Sequence, residues 1–171
     1  AGGPHSKEPR ARRVGFGAAL CFELPDGHFA LGPCAFGGLQ GAQTVPRSEL
    51  VGATEGLQLA TKHILPVPGG RTSSIVDAAY VVDRWKGTSG ADGTNVDLWE
   101  GFDEAKRLLE AALNCTAEVL KFKSHQDERG WLTTTLPFEA FANSAADALA
   151  SAAAEHLALP HSDVSDLKRL D

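Results

Sequence analysis

The sequence predicts an α/β layer fold, a small mixed sheet covered by helices. Three observations carry this reading. Residues 15–38 hold two strand-like runs around a Pro25-Asp26-Gly27 turn, the signature of a hairpin. Residues 47–64 repeat apolar side chains at helical spacing. Beyond them, the chain alternates helical and β-branched stretches. The resulting order is strand, strand, helix, strand, helix, helix, strand, helix.

Taken in order, residues 1–14 are Gly, Pro and basic side chains without hydrophobic period, and read as a loop. Gly15–Glu23 and Phe29–Gly38 supply the hairpin. In the helix of 47–64, Leu50, Ala53, Leu57, Ala60 and Ile64 form the buried stripe, with Thr44 placed to cap and Pro46 where a missing N–H is tolerated. Beside the stripe runs a second line: Glu49, Gly52, Gly56. Glycine inside a helix costs roughly 1 kcal/mol against alanine, so another backbone or a ligand is expected to approach this face closely.

Pro66 and Pro68-Gly69-Gly70 close that helix. Thr72–Val76 is a short β-branched strand ending at Asp77, and a helix over 78–85 follows. Residues 87–94 are a glycine-rich loop that lacks the strand and Lys-Ser/Thr ending of a phosphate loop. Asn95 opens another helix, in which Asp97 and Glu100 are spaced as a capping pair and Phe102, Leu108, Leu109 and Leu113 continue the apolar face. Residues 117–123 alternate as a strand with Lys121 and Lys123 outward. His125 follows, then a polar loop through Pro137, and an Ala-rich helix from about Asn143 to Leu157. The predicted partition is a loop over 1–14, a domain over 15–158 and a frayed tail over 159–171.

Composition narrows the function. The 171 residues carry a net charge of −6 with 43% hydrophobic side chains, which fits one soluble domain and argues against a protein that simply coats nucleic acid. Clustered carboxylates can still meet a phosphate backbone through metal ions. Three cysteines without metal-ligand spacing (Cys21, Cys34, Cys115) read as reduced and mostly buried, in an intracellular setting. No apolar run approaches transmembrane length and no signal peptide is visible. The chain opens Ala1-Gly2-Gly3-Pro4 and contains no methionine, so it reads as a piece of a longer product.

Three acids occupy informative places: Glu49 in a helix's first turn, Asp77 at a strand's end, Asp147 early in the last helix. Each has a purely structural alternative. Glu49 and Asp147 could complement helix dipoles, and Asp77 could cap the helix that follows it. As a set, with His125 on a loop after a strand, they suggest a magnesium site built from few carboxylates plus substrate phosphate.

Six segments, in order, resemble ribonuclease H of type 1, especially the version fused to reverse transcriptases in retroelements. They are Gly15-Phe16-Gly17-Ala18 after an Arg-rich loop, Thr44 to Leu50, Asp77-Ala78-Ala79-Tyr80-Val81-Val82, Asn95-Val96-Asp97-Leu98-Trp99, Ser124-His125-Gln126, and Asn143 to Ala150. The resemblance implies a ribonuclease-H-like mixed sheet flanked by helices. It implies that Glu49, Asp77 and Asp147 bind two Mg²⁺ ions, replaceable by Mn²⁺, that His125 sits beside the scissile phosphate, and that Thr44 holds a phosphate of the DNA strand. The implied substrate is an RNA–DNA hybrid, recognised through RNA 2′-hydroxyls and DNA backbone shape, with a reverse transcriptase domain fused upstream. Asn95 and Trp99 are assigned to capping and core.

The family's first strand, with its first metal-binding Asp, would fall at or before Ala1 and is expected to be missing from this chain. Residues 15–23 should then pair only with their hairpin mate, and 72–77 only with 117–123. Such a chain should be marginally stable, prone to associate through open strand edges, and inactive alone. The basic handle that some relatives use is not obvious around Arg84, Lys86 and 87–94. The alternative function is a catalytically dead module that serves as a tether or nucleic-acid-binding domain.

Overall fold

The computed structural model describes residues 3–5, 7–64, 72–88, 95–113, 117–122 and 137–169. Two strands, β1 (Gly15–Glu23) and β2 (Phe29–Gly38), form an antiparallel hairpin in which Gly15 faces Gly38 and Glu23 faces Phe29. The turn closes because the Leu24 N–H donates to the His28 carbonyl at 2.8 Å and Gly27 takes a φ of +81°, which favours glycine. A bulge shifts the register between Ala19 and Cys21.

Helix α1 (Val45–His63) follows, then β3 (Ser73–Val76), α2 (Ala79–Trp85), α3 (Val96–Leu113) and β4 (Glu118–Lys121). Strands β3 and β4 pair in parallel, Ser73 with Glu118 through Val76 with Lys121. The described strands thus make two separate two-stranded sheets, β1–β2 and β3–β4. This is the split pairing expected from the sequence.

The main core lies where α1 and α3 pack together and onto β1, α2 and β4. Leu50, Leu57, Val81, Phe102 and Leu109 are each at most 2% exposed there. Trp99 packs edge-on against both Tyr80 and Phe102, and Trp85 against Phe102, with ring centroids 5.7–6.0 Å apart. Arg84 stacks over Trp99 and Lys106 over Trp85, so the charged rim of α2 and α3 also shields the aromatics.

A second layer forms where α4 (Pro137–His156) crosses β1. Small residues meet small residues. A Cβ on Gly15 would lie 2.1 Å from the Ala150 carbonyl oxygen, and one on Gly17 would lie 2.3 Å from that of Ala146. Only glycine lets strand and helix approach this closely, and the alanines of α4 complete the fit.

Several boundaries differ from the sequence reading. α1 begins at Val45, with Thr44 as N-cap and Pro46 in its first turn, so Glu49 lies beyond the first turn. α4 begins at Pro137, where proline suits a helix start, so the helix opens earlier than near Asn143 and Asp147 sits mid-helix. The tail is a further helix, α5 (His161–Arg169), pinned by the buried Val164. Asp97 does not cap α3 as half of a pair with Glu100; it binds the Arg47 guanidinium. Leu108 is exposed, because it falls on the α3 face away from α1. Cys21 on β1 is half-buried and Cys34 on β2 exposed, both as free thiols, so these two are less buried than expected. The turn at 66–70, most of the glycine-rich loop, Cys115, Lys123 and His125 lie outside the described residues. Among the described residues, no helix is long and apolar enough to cross a membrane.

Candidate functional site

Three contacts bring the predicted acids toward one another. Gly52, one turn after Glu49 on α1, faces the Gly17 carbonyl oxygen so closely that a Cβ there would be 3.0 Å from it. Gly17 also meets α4 at Ala146, the residue before Asp147. One glycine of β1 is therefore the point on which both acid-bearing helices converge. This is the close approach that the glycine line on α1 suggested.

The third contact joins Asp77 to the pair. The Tyr80 hydroxyl donates to the Pro46 carbonyl and fastens the first turn of α2 to the start of α1. Asp77 directly follows β3, whose end is fixed by the Phe122 N–H donating to the Val76 carbonyl at 2.8 Å. The acid thus sits on the short link between a fixed strand end and a helix tied to α1.

Electrostatics reports the result. Glu49 is pushed up to about 7, first by burial, then by the negative charges of Asp77 and Asp147. A carboxylate feels two others on different elements only when all three share one region. The structural alternatives for these acids lose their basis: Glu49 and Asp147 are not in first turns, and the N-cap of α2 is Ala78, without a side-chain cap.

The donor set fits a hard divalent cation, because it offers only carboxylate oxygens and carries a mutual repulsion that a cation would relieve. The side chains are not drawn into a ligating cluster: among the described residues no three His, Cys, Asp or Glu groups are near enough to hold one ion.

Thr44 has the capping role foreseen for it, accepting a hydrogen bond from the Arg47 N–H at 3.4 Å, and it remains exposed. The structure adds Asn143, whose amide donates to Asp147 Oδ2 at 3.1 Å. The sequence held a signal for that bond: two polar residues four apart on a helix share a face.

No protein-family model matches the sequence, and no curated protein matches it. Among solved structures the chain is similar to the RNase H domain of PFV. The TM-score is 0.61 and identity 17%, over 90% of this chain and 89% of that one. The chain has a ribonuclease-H-like fold. The protease–reverse transcriptase of prototype foamy virus is also similar, with a TM-score of 0.51 and 16% identity. That match covers 83% of this chain and 20% of the viral one. Within the ribonuclease-H-like fold, Glu49 on α1, Asp77 after β3 and Asp147 on α4 stand on three separate elements.

Proposed function

We propose that the chain is the RNA–DNA hybrid endoribonuclease domain of a retroelement polyprotein, with a reverse transcriptase upstream. The observation that carries this reading is the convergence of the Glu49 and Asp147 helices on Gly17 of β1, where burial and the charges of Asp77 and Asp147 raise the Glu49 carboxyl. Such an arrangement destabilises the empty site and makes sense where a cation is taken up.

Glu49, Asp77 and Asp147 would hold two divalent metals, Mg²⁺ or Mn²⁺. Bound there, such ions would supply Lewis acidity toward an attacking water and charge stabilisation at the leaving 3′-oxygen. Around them the chain's own residues have distinct tasks. Glu49 holds a proton at its carboxyl until a cation displaces it. Asn143 fixes the Asp147 carboxylate through Oδ2. Thr44 offers a hydroxyl at the N-terminus of α1 to a DNA phosphate, where the helix dipole favours an anion. His125 would move protons beside the scissile phosphate or assist product departure. The foamy virus neighbours support both the nuclease fold and the link to reverse transcriptase.

The test is cleavage of an RNA–DNA hybrid by the full-length parent with Mg²⁺. Cutting should leave 5′-phosphate and 3′-hydroxyl ends on RNA and should disappear in Asp77→Asn. Cleavage by the variant at the parental rate would remove Asp77 from the site. A parent that binds hybrid and never cuts it would favour the catalytically dead tether.

A further inference from the structure

Charge is unevenly placed in this acidic chain. Residues 5–14 hold four cations, Lys7, Arg10, Arg12 and Arg13, against one acid, Glu8, while the whole chain carries −6. The stretch is a folded surface. The N–H groups of Ala11 and Arg12 both donate to the Glu8 carbonyl, at 3.0 and 2.8 Å, and that of Glu8 donates to the His5 carbonyl at 3.0 Å. Ala11 and Val14 are buried as two pegs, 1% and 0% exposed. Arg13 donates to the Arg12 carbonyl at 2.8 Å and Arg10 to Glu8 at 3.1 Å, so their guanidinium groups are held in place. Lys7 and Arg10 remain exposed.

Gln43 welds this basic loop to the segment that leads into α1. Its Oε1 accepts the Val14 N–H at 2.9 Å, and its Nε2 donates to the carbonyls of Leu39 and Gly41 at 3.0 and 3.1 Å. A backbone bond from Leu39 N–H to the Val14 carbonyl, 3.2 Å long, runs alongside. The next residue is Thr44, and α1 begins there with no acid in its first turn, leaving the positive end of its dipole uncompensated. Cations, helix end and Thr44 hydroxyl therefore share one end of the hairpin.

We propose that this end, residues 7–13 together with 39–44, is a docking surface for the phosphate backbone of a nucleic acid. It rests on the nuclease reading and adds what holds the strand. An acidic protein whose site is lined by carboxylates repels a polyanion, so a local positive surface has to overcome that repulsion. Guanidinium groups meet phosphate oxygens through paired N–H donors, and lysine meets them as a point charge.

The experiment measures binding of a fluorescent RNA–DNA hybrid to the chain in EDTA, by anisotropy, between 50 and 200 mM salt (on the order of the range over which salt weakens binding to phosphates). Lys7→Ala/Arg10→Ala should flatten the plot of log affinity against log salt by about 0.7–0.9 for each phosphate that is no longer neutralised. Lys62→Ala/Arg107→Ala, which removes the same charge from exposed positions elsewhere, should keep the parental slope. Lys7→Arg/Arg10→Lys should keep it too, which separates loss of charge from loss of fold. An unchanged slope in the first variant, an equal loss in the second, or no binding of hybrid by the unmodified chain would overturn the proposal. With no metal present, none of these outcomes depends on cleavage, so they are read independently of the Asp77→Asn result.

Discussion

Replacing Glu49 by Gln should stabilise the metal-free chain above neutral pH and change little in acid. In the folded state, burial and then the charges of Asp77 and Asp147 raise this carboxyl from 4.5 to about 7. Between those values the folded chain binds more protons than the unfolded one, so stability falls as pH rises through the window. The loss is complete above about pH 7 and absent well below pH 4.5. Each unit of such a gap is worth about 1.4 kcal/mol. Because Glu49 is only half-buried and water screens it, the realised cost should be about 1–2 kcal/mol. Glutamine keeps the shape without the charge and recovers that amount. Urea titrations of both proteins in EDTA at pH 5 and pH 8 measure it. The variant should gain most of the difference at pH 8 and little at pH 5. An equal effect at both pH values, or a less stable variant at pH 8, would refute the charge crowding.

Three other outcomes are expected. His125→Ala in the full-length parent should slow hybrid cleavage on the order of 10²-fold and leave metal-dependent cutting detectable, as read by single-turnover gel assays; unchanged turnover would make His125 a bystander. Gly17→Ala should cost about 1–3 kcal/mol in urea titrations, because its Cβ would lie 2.3 Å from the Ala146 oxygen and overpack the point where α4 crosses β1; full stability would mean the helices do not converge there. The open edges of the two small sheets should make the chain associate with rising concentration in sedimentation velocity, and a strict monomer would count against open edges.

The sequence carried the hairpin well because its signals are local. The Pro-Asp-Gly turn and the two flanking runs fix Gly15–Glu23 and Phe29–Gly38 without help from the rest of the chain. The glycine line on α1 was also legible, since a costly residue in a helix demands a close neighbour, and Gly52 has one in Gly17. What failed depended on tertiary context. Asp97 looked like a cap from its spacing, yet Arg47, fifty residues earlier, claims its carboxylate. The first turns of α4 hold Phe138 and Phe141, which pack against Phe29 across the layer, so a local reading opened the helix only near Asn143. α5 is too polar to announce itself, and among its described side chains Val164 is the buried one. For the site, a local reading puts Glu49 into a first turn and Asp147 into the early part of its helix because it places both helix starts too late. Asn143 gained meaning only once α4 was known to be continuous through it.

We propose that Glu49, Asp77 and Asp147 act together on a divalent cation. Calorimetric titration of Mn²⁺ into the chain at pH 7, repeated in two buffers of different ionisation enthalpy, reads this out. With Glu49 near 7, uptake of the cation should release about half a proton at pH 7 and almost none at pH 8.5. Both the binding and the proton release should vanish in Glu49→Gln. Binding of undiminished strength in that variant, or no uptake by the unmodified chain, would contradict the claim.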